Sequence, residues 1–207
     1  GSKLLEGGCG LAKTVYKLSK AGFECVGVDT AKKTVKLLNK TNPQLDIRLG
    51  DITKLKVKDG AFDGYWSLGV IEHFYDGYGL AIEEMARVVC KGGYVFLTFP
   101  HMSRLRRAKA KRGVYPQWTG RQKKDFYQFA LDEGIVAKDL QRCGFKVISM
   151  RRFDGTKGCK DEVPTFKKLL QKAYSSRSLF ARAFVLLFSM LSSWYCSHAI
   201  LVVARRE

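Results

Sequence analysis

The sequence lacks the spacings that hold metals. Its six cysteines, Cys9, Cys25, Cys90, Cys143, Cys159 and Cys196, include no Cys-x-x-Cys pair, and its three histidines add no ligand pattern. A metal centre is therefore not expected. A disulfide framework is unnecessary for a chain this long, and Cys25 and Cys90 sit in apolar stretches where they read as small core residues. A reduced, cytoplasmic setting is the simplest home. No signal peptide is expected either, since the chain runs from Gly1 almost directly into a strand-like segment. The apolar, uncharged stretch 183–195 falls short of the roughly 20 residues that span a bilayer as a helix. Acids are scarce: 19 Asp and Glu face 37 Lys and Arg, for a net charge of +18. Attraction to nucleic acid, an anionic membrane surface or a phosphorylated substrate stands beside the plainer reading of a solvated, lysine-rich surface.

What is present is regular. With 207 residues, 46% of them hydrophobic, the chain can bury one sizeable core, and residues 1–207 are expected to form a single domain. Strand-like runs at 3–6, 24–28, 46–49, 62–68 and 94–99 alternate with helical patterns at 11–21, 31–40 and 80–89. Such alternation predicts a mostly parallel sheet with helices on both faces. A helix at 135–143, a strand at 145–150 and a last strand at 198–204 complete the pattern.

Two segments interrupt it. Residues 102–124 read as a loop carrying nine cations, among them Arg106, Arg107 and Lys109, with no acid. They leave the fifth strand at the carboxyl edge, where open α/β sheets bind ligands, and are expected to form a mobile basic cover over an anionic acceptor. Tyr115 and Trp118 would add apolar contact. Residues 151–196 are a second insertion on that side. Its apolar end is expected to pack on the domain or close the substrate cleft, in preference to lying on a membrane. Arg177 and Arg182 before it, and Trp194 and Tyr195 at its end, keep peripheral membrane contact open.

The most informative motif is Leu4-Leu5-Glu6-Gly7-Gly8-Cys9-Gly10-Leu11-Ala12-Lys13. Glycines at a strand-to-helix turn let the backbone pass close under a ligand. A dinucleotide fingerprint needs a third glycine, and Lys13 stands in its place. The pattern Glu6-x-Gly8-x-Gly10-x-Ala12 resembles motif I of the class I S-adenosylmethionine (SAM)-dependent methyltransferases, with Ala12 where glycine is commoner. Later segments resemble the same family in the right order. They are Asp29 after the second strand, Gly50-Asp51-Ile52 after the third, and the run from Phe62-Asp63 through Ser67-Leu68-Gly69 to Glu72-His73. Glu84 to Gly93, Pro100, residues 126–129 and residues 140–145 follow. Within the family, the small-molecule methyltransferase domains of type 11/12 are the nearest in pattern. Members usually carry an N-terminal helical lid, which this sequence does not show.

The resemblance implies a Rossmann-like seven-stranded sheet, mostly parallel, with an antiparallel last strand. It also implies SAM as cofactor and S-adenosylhomocysteine (SAH) as product. Glu6, Gly7, Gly8, Cys9 and Gly10 would line the cofactor. Asp29 and Thr30 would meet the ribose, Asp51 and Ile52 the adenine, and Ser67, Leu68 and Gly69 the far wall. From residue chemistry alone, Asp29 could equally cap the following helix, and Gly50-Asp51 could be only a turn.

His73, after the fourth strand, is the candidate general base, since histidine moves protons near neutral pH; a structural loop histidine is the alternative. His101 is a weaker candidate and His198 reads as structural. Neither the Asn/Asp-Pro-Pro-Tyr/Phe motif of amino-directed nucleic-acid methyltransferases nor a Pro-Cys nucleophile is present. The expected acceptor is therefore a small or lipid-linked, anionic molecule, with nucleic acid disfavoured. A nicotinamide dehydrogenase is a poorer fit. The non-enzymatic alternative is a methyltransferase-like basic module that binds RNA or an anionic membrane.

Overall fold

The computed structural model describes residues 1–116, 124 and 126–207. Seven strands form one sheet in the order β3-β2-β1-β4-β5-β7-β6. They are β1 (Lys3–Gly7), β2 (Glu24–Asp29), β3 (Asp46–Leu49), β4 (Phe62–Leu68), β5 (Val89–Pro100), β6 (Phe145–Phe153) and β7 (Ala199–Arg206). Strands β1 to β5 pair in parallel, and β7 runs antiparallel between β5 and β6. This is the sheet the motifs implied.

The helices are α1 (Lys13–Lys20), α2 (Lys32–Thr41), α3 (Gly79–Val88), α4 (Arg104–Lys111), α5 (Glu133–Arg142), α6 (Gly155–Glu162), α7 (Pro164–Ser175) and α8 (Leu179–Cys196). The central strands bury both faces. Leu5, Tyr65, Val95, Leu97, Ile200 and Val202 are each 0% exposed and pack with Ile82 and Met85 of α3 and Leu140 of α5. A smaller cluster under α1 and α2 holds Val15, Val35 and Leu38 against Cys25 and Ile47. The strand order reverses between β1 and β4. A crevice therefore opens at their carboxyl ends, the general ligand site of open α/β sheets.

Three sequence expectations change. Residues 102–124 are not a loop throughout: Ser103 caps α4 by accepting from the Arg106 backbone N–H. Three of the cations expected to face an acceptor are instead paired with acids of the protein. Arg106 is 8% exposed and donates to Glu162 of α6 at 2.8 Å. Arg107 reaches Asp132 and Glu133, and Lys109 and Tyr115 also donate to Glu162. Trp118, Arg121 and Lys123 of the expected cover lie outside the described residues. Residues 126–129 run without regular structure.

The third change concerns α8. Its inner face packs on α6, where Gly155 N–H donates to Ser189 and Ser193 and the Thr156 hydroxyl to the Val185 carbonyl. Among the described residues its outer face is left largely uncovered. Phe180 is 90% and Leu191 74% exposed.

Candidate cofactor and acceptor site

The loop after β1 is built by backbone geometry. Gly8 and Gly10 have φ of 73° and 50°, a region that disfavours any residue with a Cβ. A Cβ on Gly8 would come within 2.5 Å of Val70, and one on Gly7 within 1.9 Å of the Tyr65 hydroxyl. The Gly8 and Cys9 N–H groups donate to the Val28 carbonyl. Gly10 N–H donates to Asp29 Oδ2 at 2.8 Å. Ala12 takes φ 54°, a left-handed conformation that costs a non-glycine residue about 1–2 kcal/mol. This explains why glycine is commoner there.

Glu6 holds the loop from beneath. It is 6% exposed and accepts from the Val15 N–H of α1. Burial raises its pKa, against the hydrogen bonds of Thr14 and Val15. Cys9 likewise turns its side chain into the core. Burial first, then the nearby Asp29 and Glu6, push its thiol up to about 12, so it stays protonated and only its backbone can serve a ligand.

Asp29 closes β2. Its Oδ1 accepts from Ala31 N–H, an Asx turn into α2 rather than a cap inside the helix. Each oxygen makes one bond there and retains a lone pair, so ribose hydroxyls can still be accepted. Thr30 beside it is exposed. Asp51 Oδ1 accepts from the Thr53 backbone and hydroxyl, so it does form a turn. Ile52 is 5% exposed and packs in the main core cluster.

On the β4 side, Ser67 is 1% exposed and its hydroxyl has no partner among the described residues. A buried hydroxyl left unpaired costs about 1–3 kcal/mol, which marks this strand end as a place for a polar ligand. Leu68 is partly exposed. Gly69, at φ 74°, passes over Glu72: a Cβ there would lie 3.4 Å from Glu72 Oε1. Glu72 is 3% exposed, Oε2 is unpartnered among the described residues, and burial raises its pKa. The sequence reading used Glu72 only as part of a motif. Its burial and unpaired oxygen add it to the site. The glycine cradle, Asp29 and these two orphaned polar groups fit an adenosyl-type ligand.

His73 ends the 3₁₀ turn Ile71–His73. Its Nδ1 lies 2.6 Å from the Tyr127 carbonyl, and the two rings meet edge-on at 5.1 Å. Phe129 N–H bonds to the Glu72 carbonyl, so residues 126–129 brace this turn. The other two histidines are held in polar contacts away from this turn. His101 is 2% exposed and lies between Ser197 at 2.5 Å and Glu133 at 2.8 Å. His198 contacts Lys157 and Arg106.

Comparison with known proteins agrees with this geometry. A family model described as "Methyltransferase domain" matches residues 5–97, just under half of the chain. A probable S-adenosylmethionine-dependent methyltransferase of Mycolicibacterium smegmatis is 29% identical over 101 residues, 49% of this chain and 39% of that one. Probable tRNA methyltransferase 9B of Mus musculus is 30% identical over 120 residues, 57% of this chain and 26% of that one. The chain thus matches well under half the length of these curated relatives. The solved S-adenosylmethionine-dependent methyltransferase of Mesorhizobium loti superposes with a TM-score of 0.67, over 100% of this chain and 91% of that one at 17% identity, a likeness of fold. Motifs, sheet order, cradle and family match together identify residues 5–97 as a methyltransferase domain of the class I, SAM-dependent family.

Proposed function

We propose that the chain transfers a methyl group from SAM to a small-molecule or lipid-linked acceptor, with His73 taking the proton the acceptor sheds. The observation that carries this reading is the tether of Gly10 N–H to Asp29 Oδ2. It fixes a glycine cradle and a carboxylate together at the switch point of the sheet. When bound, the cofactor supplies a methyl already activated on a sulfonium, so the protein's work is chiefly positioning. Gly8 and Gly10 admit the nucleoside without a steric barrier, and Asp29 accepts its hydroxyls. Ser67, Gly69 and Glu72 line the opposite wall.

The His73 tautomer follows from its partner. A carbonyl only accepts, so in the neutral ring Nδ1 carries the hydrogen. Nε2 is left with its lone pair, ready to accept the proton of a hydroxyl or amine. The net charge of +18 favours an anionic acceptor or carrier. A tRNA acceptor is the second reading, favoured by the similarity to probable tRNA methyltransferase 9B.

Calorimetric titration with SAH and NAD, followed by methyl transfer from radiolabelled SAM into small-molecule, lipid and tRNA fractions, tests both steps. The expected result is binding of SAH but not NAD, and label in the small-molecule or lipid fraction. Label confined to tRNA would replace the acceptor and keep the donor. No SAH binding would overturn the reading.

A further inference from the structure

The outer face of α8 is apolar, exposed and unusually placed. Phe180, Leu187, Leu191 and Trp194 recur at helical spacing on one side and are each 59–90% exposed, with Leu186 and Met190 beside them at 65% and 70%. Among the described residues the Arg104 guanidinium stacks on the Trp194 ring, and the rest of the stripe stays exposed. A patch of this kind on a soluble surface marks a docking site.

Charge indicates what docks there. From Val163 to Arg206 the sequence contains no acid. Lys167, Lys168 and Lys172 of α7, Arg177 before α8 and Arg182 in its first turns supply five cations on the two helices at this end of the molecule. A second copy of the chain, related by a two-fold axis, would set these cations against each other. Anionic lipid headgroups would neutralise them while the apolar residues enter the acyl region. Aromatic Trp194 and Tyr195, stacked at 6.4 Å with the Arg104 guanidinium 3.7 Å above the Trp194 ring, suit the headgroup boundary.

By length and composition the 18 residues of α8 are enough to cross a membrane, so length alone does not decide how the helix lies. Its inner face is tied to α6 through Ser189, Ser193 and the Val185 carbonyl. Such polar contacts hold it along the protein surface.

Its position links the patch to the site. Phe153 at the end of β6 and Pro100 at the end of β5 both pair with Ala199 of β7, so the α6–α8 excursion leaves the carboxyl edge that carries the cofactor cradle. We infer that α8, with the cations of α7, docks the protein flat on an anionic phospholipid surface. The catalytic crevice is then held beside the leaflet.

Flotation of the whole chain with vesicles tests this, using phosphatidylcholine alone or phosphatidylcholine mixed with phosphatidylglycerol. Binding is expected to the mixed vesicles, weakening as salt rises to about 0.5 M. Leu187→Glu with Leu191→Glu alters only exposed side chains and should reduce binding roughly ten- to a hundredfold, with SAH affinity and thermal stability unchanged. Lys167→Glu, Lys168→Glu and Lys172→Glu together should abolish the preference for anionic vesicles. The inference is overturned if the unaltered chain ignores mixed vesicles at low salt, or if the Leu187→Glu, Leu191→Glu variant binds them equally well. It is also overturned by a lipid-free dimer in sedimentation that this variant dissolves, which would assign the face to a second copy. Because SAH binding is read separately, these outcomes do not bear on the catalytic proposal.

Discussion

Asp29 does two jobs with one carboxylate. It holds the Gly10 and Ala31 N–H groups and is left able to accept ribose hydroxyls. Asp29→Ala should therefore weaken SAH binding by about 1.5–3 kcal/mol, the usual worth of hydrogen bonds to a charged group, or roughly 10- to 150-fold in Kd by calorimetry. Unchanged affinity would remove Asp29 from the site. His73 makes a different prediction. Its Nε2 is set up by the Tyr127 carbonyl, so His73→Ala should lower kcat by about 10²–10⁴-fold and leave SAH affinity intact. A lowered melting temperature with normal turnover would instead show that His73 only braces residues 126–129. At this scale much was legible. Gly8, Gly10 and Asp29 act through the backbone close to them in sequence, and their spacing records that. Glu72 was less legible because its burial depends on Gly69 passing above it, which no local pattern encodes. Glu6 and Cys9 were legible as members of the motif but not in their roles, since only the fold decides that their side chains point under the loop.

At the scale of elements, the seven strands and α1, α2, α3 and α5 followed from local periodicity, with bounds shifted by up to five residues, whereas α4, α6 and α7 lie in segments read as a loop and an insertion. The contacts of the basic segment did not follow. Arg106 and Glu162 are 56 residues apart, and nothing around residue 106 announces a distant acid. Glu162 gathers Arg106, Lys109 and Tyr115 and so fastens α4 to the end of α6. Burial alone would raise its pKa; these partners bring it down. With side-chain exposures of 11% for Glu162 and 10% for Arg106, the pair is shielded enough that removing one charge should cost about 3 kcal/mol. Glu162→Gln should accordingly lower the melting temperature by roughly 6–12 °C. The same logic reverses an expectation from sequence: charge reversal at Arg106, Arg107 or Lys109 should destabilise the fold rather than raise an acceptor KM. A loss below about 0.5 kcal/mol in Glu162→Gln, typical of a surface pair, would show that α4 is held by other contacts.

Across the whole molecule, the excess of positive charge hides a few buried groups whose ionisation sets stability. His198 joins α4 and α6 through Arg106, Lys157, Asp161 and Glu162. Burial first, then the charges of Lys157 and Arg106, lower its pKa from its ordinary 6.5 to about 4. The unfolded chain therefore takes up this proton before the folded one does. Stability from this group is complete above pH 6.5 and is lost as pH falls toward 4, by about 3 kcal/mol in total. Burial also lowers the pKa of His101, which adds a loss of the same sign. Glu133 follows at lower pH. Burial would raise its carboxyl, but its own backbone hydrogen bond, His101 and Arg152 bring it down to about 2. Its contribution is present above its ordinary value near 4.5 and disappears between there and 2. The melting temperature should thus fall in two stages on acidification, the first below pH 6.5 and the second below 4.5. His198→Asn should shrink the first stage to the part carried by His101 and leave the second. A profile flat from pH 7 to 5, or a first stage unchanged in His198→Asn, would show that the α4–α6 junction is not the acid-sensitive part of the fold.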